Sequence, residues 1–219
     1  MTTMDSKLMT AVSNGKLTKV VSLLKKGANV NYHCPRNGET LLIKSSYRDR
    51  TNITKLLLEN GADVNIVTKS GYNALIRTCQ CLLIGSYTDT IKLLLKYIDI
   101  NQQNTWVGST GNTALIEICE DTYGSMTGHT MDPKASNNNM QLLLDHPDID
   151  ISIKNYNGKT ALMMAHDNGD IVKVKLIEQH IFKKKMLVQK KLILGKLYMS
   201  DLGSNLVEEA LYEKISLLL

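Results

Sequence analysis

"LLLENGADVN" (Leu56–Asn65) decides how this chain is read, because the chain repeats it with variations. "LLKKGANVN" spans Leu23–Asn31, "LLLKYIDIN" spans Leu93–Asn101, and a weaker echo, "LLLDHPDID", spans Leu142–Asp150. A catalytic motif occurs once in a chain. A recurring phrase is a building unit, and function then belongs to what the units assemble. A second phrase runs in step with the first: "GETLL" from Gly38, "GYNAL" from Gly71, "GNTAL" from Gly111 and "GKTAL" from Gly158. These glycines are 33, 40 and 47 residues apart, so one interval matches a 33-residue repeat and the others exceed it by 7 and 14.

Elementary chemistry turns the phrases into elements. Each glycine provides the turn dihedrals ahead of a helix. Thr40, Thr113 and Thr160 stand where a hydroxyl caps the first turn, and Asn73 takes that role in its unit. Leu42, Leu75, Leu115 and Leu162 then open an apolar face at helical spacing. Ile53, Leu56 and Leu57, with Ile91, Leu94 and Leu95, give the second helix of a unit its face, and Gly27 and Gly61 end second helices. The unit from Gly71 carries about one extra helical turn between its helices. The unit from Gly111 carries a polar insertion, "EDTYGSMTGHTMDPKASNNN", read as a loop over Glu120–Asn139.

With these motifs in register, the chain resembles an ankyrin-repeat protein. Its unequal repeats are similar to those of large DNA viruses or intracellular bacterial effectors. The resemblance implies an all-α solenoid of stacked helix-turn-helix units with short β-hairpin-like fingers and a helical C-terminal tail. The expected divisions are a capping repeat over 1–35, repeats over 36–69, 70–109 and 110–156 (the insertion at 120–139), a partial repeat over 157–180, and a basic-then-acidic tail over 181–219. The consensus Pro-Leu-His after the cap is replaced by Leu-Leu-Ile, Ala-Leu-Ile or Ala-Leu-Met.

Composition agrees with a soluble stack built on aliphatic residues. Of 219 residues 43% are hydrophobic, yet there is only one Trp and one Phe. A net charge of +5 is too modest to imply nucleic-acid binding. The N-terminus lacks the apolar stretch of a signal peptide, and four Cys show no framework spacing, so an intracellular, cytoplasmic protein is expected, with the nucleus as the alternative. Cys79 and Cys119 each fall eight residues after a repeat glycine, the slot filled elsewhere by Ser46 and His166, and read as core thiols rather than metal ligands. No His-Glu-x-x-His, Gly-x-Ser-x-Gly or phosphate loop occurs, and neither an enzyme, a metal nor a cofactor is expected. Asn31, Asn65 and Asn101 read as turn residues that bond backbone groups between repeats.

What the resemblance implies for function is a non-catalytic module that binds another protein on the concave face of fingers and first helices. Carried over position by position, that face offers Arg36, Asn37, Glu39, Tyr47, Arg48, Lys69, Tyr72, Asn112, Glu120, Tyr156 and Lys159, with Trp106 on a lengthened finger. The set mixes Tyr with charges of both signs, which suits a protein surface better than nucleic acid. A monomer with no membrane attachment is expected, and a viral or bacterial setting would make the partner a host factor. The alternative is an adaptor whose tail recruits a second machine such as a ubiquitin ligase. Lys183, Lys184, Lys185, Lys190, Lys191 and Lys196 make the first half of that tail basic, while Asp201, Glu208, Glu209 and Glu213 make the second acidic.

Overall fold

Short helices follow one another in antiparallel pairs, each opened by the residue that the repeat places there. The structure is a computed structural model and describes residues 3–80, 87–105, 110–120 and 133–199, with side chains as far as Leu192. The first pair is α1 (Met4–Ser13) and α2 (Leu17–Lys25); the second is α3 (Leu41–Ser46) and α4 (Thr51–Glu59). The third is α5 (Ala74–Gln80) and α6 (Thr88–Leu94), and the fourth α7 (Ala114–Cys119) and α8 (Pro133–Leu144). Then come α9 (Ala161–Asp167) and α10 (Ile171–Met199). Chain contacts divide the protein into two compact units, Met1–Val174 and Lys175–Leu219.

Within the first unit the caps are as expected. Thr40 Oγ1 accepts from Ile43 N at 3.1 Å, Thr113 Oγ1 from Ile116 N at 3.3 Å and Thr160 Oγ1 from Met163 N at 3.3 Å. Asn73 Oδ1 takes Ile76 N at 2.7 Å. First helices stack on first helices, α1 on α3, α3 on α5, α5 on α7 and α7 on α9, while second helices line up behind them. Leu42, Leu75 and Leu115 are buried in this stack, with Ile53, Leu57, Ile91 and Leu94 from the second row. Each such side chain contributes roughly 1.5–3 kcal/mol by leaving water, and the core is made of them rather than of aromatics. Cys79 and Cys119 are buried in their helices, and burial pushes the Cys119 thiol up to about 12. Lys7, Lys16, Lys19, Lys25 and Lys26 of the first pair are all exposed.

Fingers between the pairs are narrow hairpins. Cys34 N donates to Glu39 O at 2.8 Å, Thr68 N to Tyr72 O at 3.0 Å, Asn104 N to Asn112 O at 3.0 Å and Asn155 N to Lys159 O at 2.9 Å. Among the described residues they stop short of regular strands, with one antiparallel bridge, His33 to Thr40.

On the other side of the helices, asparagines hold neighbouring turns together. Asn31 Oδ1 accepts from Asp63 N at 2.8 Å; Asn101 Oδ1 accepts from Asp150 N at 2.9 Å while its Nδ2 donates to Asp148 O at 2.7 Å. Each turn is closed in turn by its own acceptor: Asn29, Asp63, Asp99 and Asp150 take the backbone N–H two residues on, at 2.8–2.9 Å. Asn31 and Asn101 thus have the structural part expected of them.

Two expected boundaries differ. The insertion read as a loop to Asn139 ends earlier, because Pro133 begins α8. Proline suits the first turn of a helix, and Ala135, Ser136, Asn139, Met140, Leu143 and Leu144 then form a buried stripe at helical spacing. The stripe escaped a hydrophobic reading because Ser136 and Asn139 belong to it, and Asn139 Oδ1 accepts from Thr88 Oγ1 at 3.0 Å. Residues 121–132 lie outside the described residues, as does the fingertip with Trp106. The second difference is at 180/181, where repeat and tail were divided: α10 crosses that point unbroken, since no Gly or Pro occurs between Ile171 and Leu194. Asp170 begins this helix, its carboxylate accepting from Lys173 N and pairing with Lys173 Nζ, both at 3.0 Å.

Candidate interaction surface

Three register positions meet on the first-helix face in each of the second, third and fourth helix pairs. Counted from the finger glycine, they are the first, sixth and ninth residues after it. In the second pair these are Glu39, Lys44 and Tyr47: Lys44 Nζ pairs with Glu39 Oε2 at 2.8 Å and donates to Tyr47 Oη at 2.5 Å. In the third they are Tyr72, Arg77 and Gln80, where Arg77 donates to Gln80 Oε1 and Gln80 Nε2 donates to Tyr72 Oη at 3.3 Å. In the fourth they are Asn112, Glu117 and Glu120, both carboxylates accepting from the same Asn112 Nδ2, at 3.0 Å for Glu117. In the last, Lys159 reaches across to Asp167 at 2.7 Å.

Links between repeats join these trios into one polar stripe. The Arg77 guanidinium stands 5.2 Å from the Tyr47 ring centroid and 5.9 Å from that of Tyr72. Lys44 and Arg48 also approach the Tyr47 ring, at 5.0 and 5.8 Å. Gln80 hydrogen-bonds Glu117, and Asn155 Nδ2 donates to Asn112 Oδ1 at 3.0 Å. The stripe is basic around Tyr47 and Arg77 and acidic around Glu117 and Glu120.

Electrostatics follow from that layout. Burial pushes the Glu117 carboxyl up to about 7, Glu120 adds to the rise, and the hydrogen bond from Asn112 with the charge of Arg77 works against it. Burial also raises Tyr72, with Glu117 as the next cause. Burial alone would lower Lys44, but its bonds to Glu39 and Tyr47 outweigh that and raise it.

The sequence-derived residues divide on this map. Arg36, Asn37, Arg48, Lys69, Tyr156 and Lys159 are exposed, and Tyr47, Tyr72 and Glu120 are half-buried along the stripe. Glu39 and Asn112 are corrected: both are buried, one bound to Lys44 and the other shared by Glu117, Glu120 and Asn155, so they support the surface instead of presenting it. Lys44, Arg77 and Glu117 were missed. Their signal was a lone charge at one register position inside helices that are otherwise apolar or small, "LLIKSS", "ALIRTC" and "ALIEIC".

Fingers complete the surface. Lys69 N donates to Asn37 O at 2.9 Å and its Nζ to Pro35 O at 2.7 Å; Tyr156 N donates to Thr110 O at 2.9 Å. The Tyr156 ring lies directly on Gly111, where an added Cβ would meet it at 2.5 Å, and is still 60% exposed. A large aromatic held in place yet open to solvent is suited to anchoring a partner.

Comparison with known proteins agrees with this architecture. Residues 8–104 match the family described as ankyrin repeats (3 copies). The chain is similar to the ankyrin repeat and SAM domain-containing protein 6 of Rattus norvegicus, 36% identical over 87 residues, which is 40% of this chain and 10% of that protein. The Mus musculus protein of the same name is 34% identical over 87 residues, again 40% of this chain and 10% of the relative. The chain therefore covers about a tenth of the length of these relatives. Capped helix pairs, hairpin fingers, glycine register and this match agree: residues 8–104 are ankyrin repeats, and the later helix pairs continue the same pattern.

Proposed function

We propose that the polar stripe and the fingers beside it bind a partner protein without catalysing a reaction. Ankyrin repeats are in general protein-interaction modules, and the observation that carries the reading here is the stripe itself. Side chains of both signs are held in fixed positions by neighbours across three repeats, next to an exposed, seated Tyr156. A surface ordered before binding loses less side-chain freedom on association. The exposed contact residues on this reading are Arg36, Asn37, Arg48, Lys69, Tyr156 and Lys159, with Tyr47, Arg77, Tyr72 and Glu120 forming the floor. A host protein, met in the cytoplasm, fits the irregular repeats that the sequence shares in style with viral and bacterial ones. No helix among the described residues is long and apolar enough to cross a membrane.

A photo-crosslinking residue placed at Tyr156, and separately at Lys55 on the outer row, tests the reading. Lys55 is well exposed but stands on α4, away from the stripe. Crosslinks to one protein from position 156 and not from 55, reduced by Arg48→Glu, are expected. Crosslinks from 55 that are untouched by Arg48→Glu would overturn it.

A further inference from the structure

Positive charge on the first-helix face is concentrated in the second and third helix pairs. The ammonium of Lys44 and the guanidinium groups of Arg48 and Arg77 stand 5.0, 5.8 and 5.2 Å from the centroid of one ring, that of Tyr47. Three cations around one phenol repel one another, and each is kept there by a bond of its own. Lys44 Nζ is held by Glu39 Oε2 at 2.8 Å and Arg77 by Gln80 Oε1, while Arg48 donates to Ser13 O at the end of α1, at 3.5 Å. The finger of the same pairs adds Arg36 and Lys69. The Lys69 ammonium donates to Pro35 O at 2.7 Å, at the peptide bond that joins Pro35 to Arg36.

Little negative charge answers this. Glu39 is buried and bound to Lys44, and Glu117, which feels the charge of Arg77, is buried as well. Asp49, next to Arg48 in the chain, accepts from Thr90 Oγ1 at 2.8 Å on the second-helix row. Among the described residues, Arg36, Arg48 and Lys69 have no carboxylate within ion-pairing distance, and all three are exposed. Further along the stripe the sign reverses at Glu117 and Glu120. The charge therefore has a direction, cationic toward α3 and anionic toward α7.

We propose that the partner presents an acidic segment, rich in Asp and Glu, to this cationic end of the stripe, its carboxylates meeting Arg48 and the Tyr47 cluster on the helices and Arg36 and Lys69 on the finger. This rests on the stripe being a protein-binding surface, and adds the chemistry and the direction of what is bound. A guanidinium takes a carboxylate through two parallel N–H bonds, and Arg36 and Arg48 are exposed to do so. Opposite charge across an interface also steers the encounter and fixes its register, and Glu117 and Glu120 disfavour an acidic segment laid toward α7. A nucleic acid is a poorer occupant. Its phosphates keep one sign along the strand and would run from the cationic end onto those two carboxyl groups.

The test selects binders of the full chain from random peptides displayed on phage. Enrichment of Asp and Glu in the bound peptides, over the unselected pool, is expected. The tightest of them, synthesised with a fluorophore and followed by anisotropy, is expected to lose about tenfold in affinity with Arg48→Glu or Lys69→Glu. Lys55→Glu, the same reversal on the exposed outer row, is expected to leave it unchanged. Circular dichroism checks that each variant keeps its helices. Selected peptides without acidic excess, whose binding falls with Tyr156→Ala, would keep the stripe as a protein-binding surface and overturn its acidic partner. Acidic peptides that respond equally to Lys55→Glu, or that ignore both reversals on the stripe, overturn it as well, as does a selection that enriches nothing. Peptides indifferent to Tyr156→Ala too would take the reading of the stripe down with it. A single-stranded oligonucleotide that binds more tightly than the peptide, with the same dependence on Arg48 and Lys69, would overturn the proposal in favour of a nucleic-acid surface.

Discussion

Arg77, on α5, holds its guanidinium 5.2 Å from the ring of Tyr47 at the end of α3, one repeat away. The contact closes the basic half of the stripe, and the same guanidinium also faces Tyr72. A half-buried cation over an aromatic face contributes about 0.5–2 kcal/mol. Arg77→Ala is expected to lower the chain's stability by that order in chemical denaturation. Arg77→Lys, which keeps charge but loses the planar group and its bond to Gln80, is expected to fall between the two. A variant as stable as the wild type would show that the stripe is only a row of neighbours.

Glu117 gives stability a pH dependence of defined sign. Its carboxyl titrates at about 7 in the folded chain against 4.5 when unfolded. Below the unfolded value both states are protonated and the group is neutral toward folding. As pH rises from 4.5 to 7 the unfolded chain ionises first and stability falls, by about 3 kcal/mol at most. Glu117→Gln keeps an acceptor for Asn112 and removes the ionisation. It is expected to flatten stability between pH 5 and 7.5 and to exceed the wild type at pH 8 by about 1–3 kcal/mol. Parallel denaturation curves for the two proteins at every pH would refute the assignment.

Gly111 and Gly158 share a left-handed backbone, with φ of 70° and 74°, but differ in what lies above them. An alanine at Gly111 would drive its Cβ into the Tyr156 ring, whereas nothing stands within 4 Å of Gly158. Both substitutions carry the backbone penalty of about 1–2 kcal/mol for a non-glycine residue in that region. Gly111→Ala is expected to cost clearly more than Gly158→Ala and to alter Tyr156 fluorescence or its NMR signals. Equal costs would mean that the ring is not seated on Gly111.

Asn101 makes two bonds to the following repeat where a shorter side chain would make none. Asn101→Ala leaves Asp148 O and Asp150 N without these partners and is expected to cost about 1–3 kcal/mol. Amide exchange at Asp150 should quicken while exchange at the buried helix of Leu115 is hardly changed. Uniform quickening across both would point to loss of the whole stack rather than of one tie.

Local chemistry was the legible part. The caps at Thr40, Asn73, Thr113 and Thr160 depend on the next three residues only, and the sequence displays them openly. The stripe was half legible: register located its first and ninth positions, but the sixth is marked only by single charges within apolar helices. Whether Glu39 and Asn112 face a partner or their own repeat depends on Lys44 and on Glu117, side chains five residues away whose direction no local pattern states. Helix α8 was hidden for a related reason. Ser136 and Asn139 are buried among apolar neighbours, and burial of a polar group follows from what it can bond rather than from its hydropathy.

The asparagine ties have one more implication. Asn31 reaches Asp63, 32 residues on, and Asn101 reaches Asp150, 49 residues on, through bonds of nearly the same length. The step from turn to turn in space is thus indifferent to how much chain lies between. The stack works as a ruler whose marks keep their spacing whether 32 or 49 residues of chain separate them.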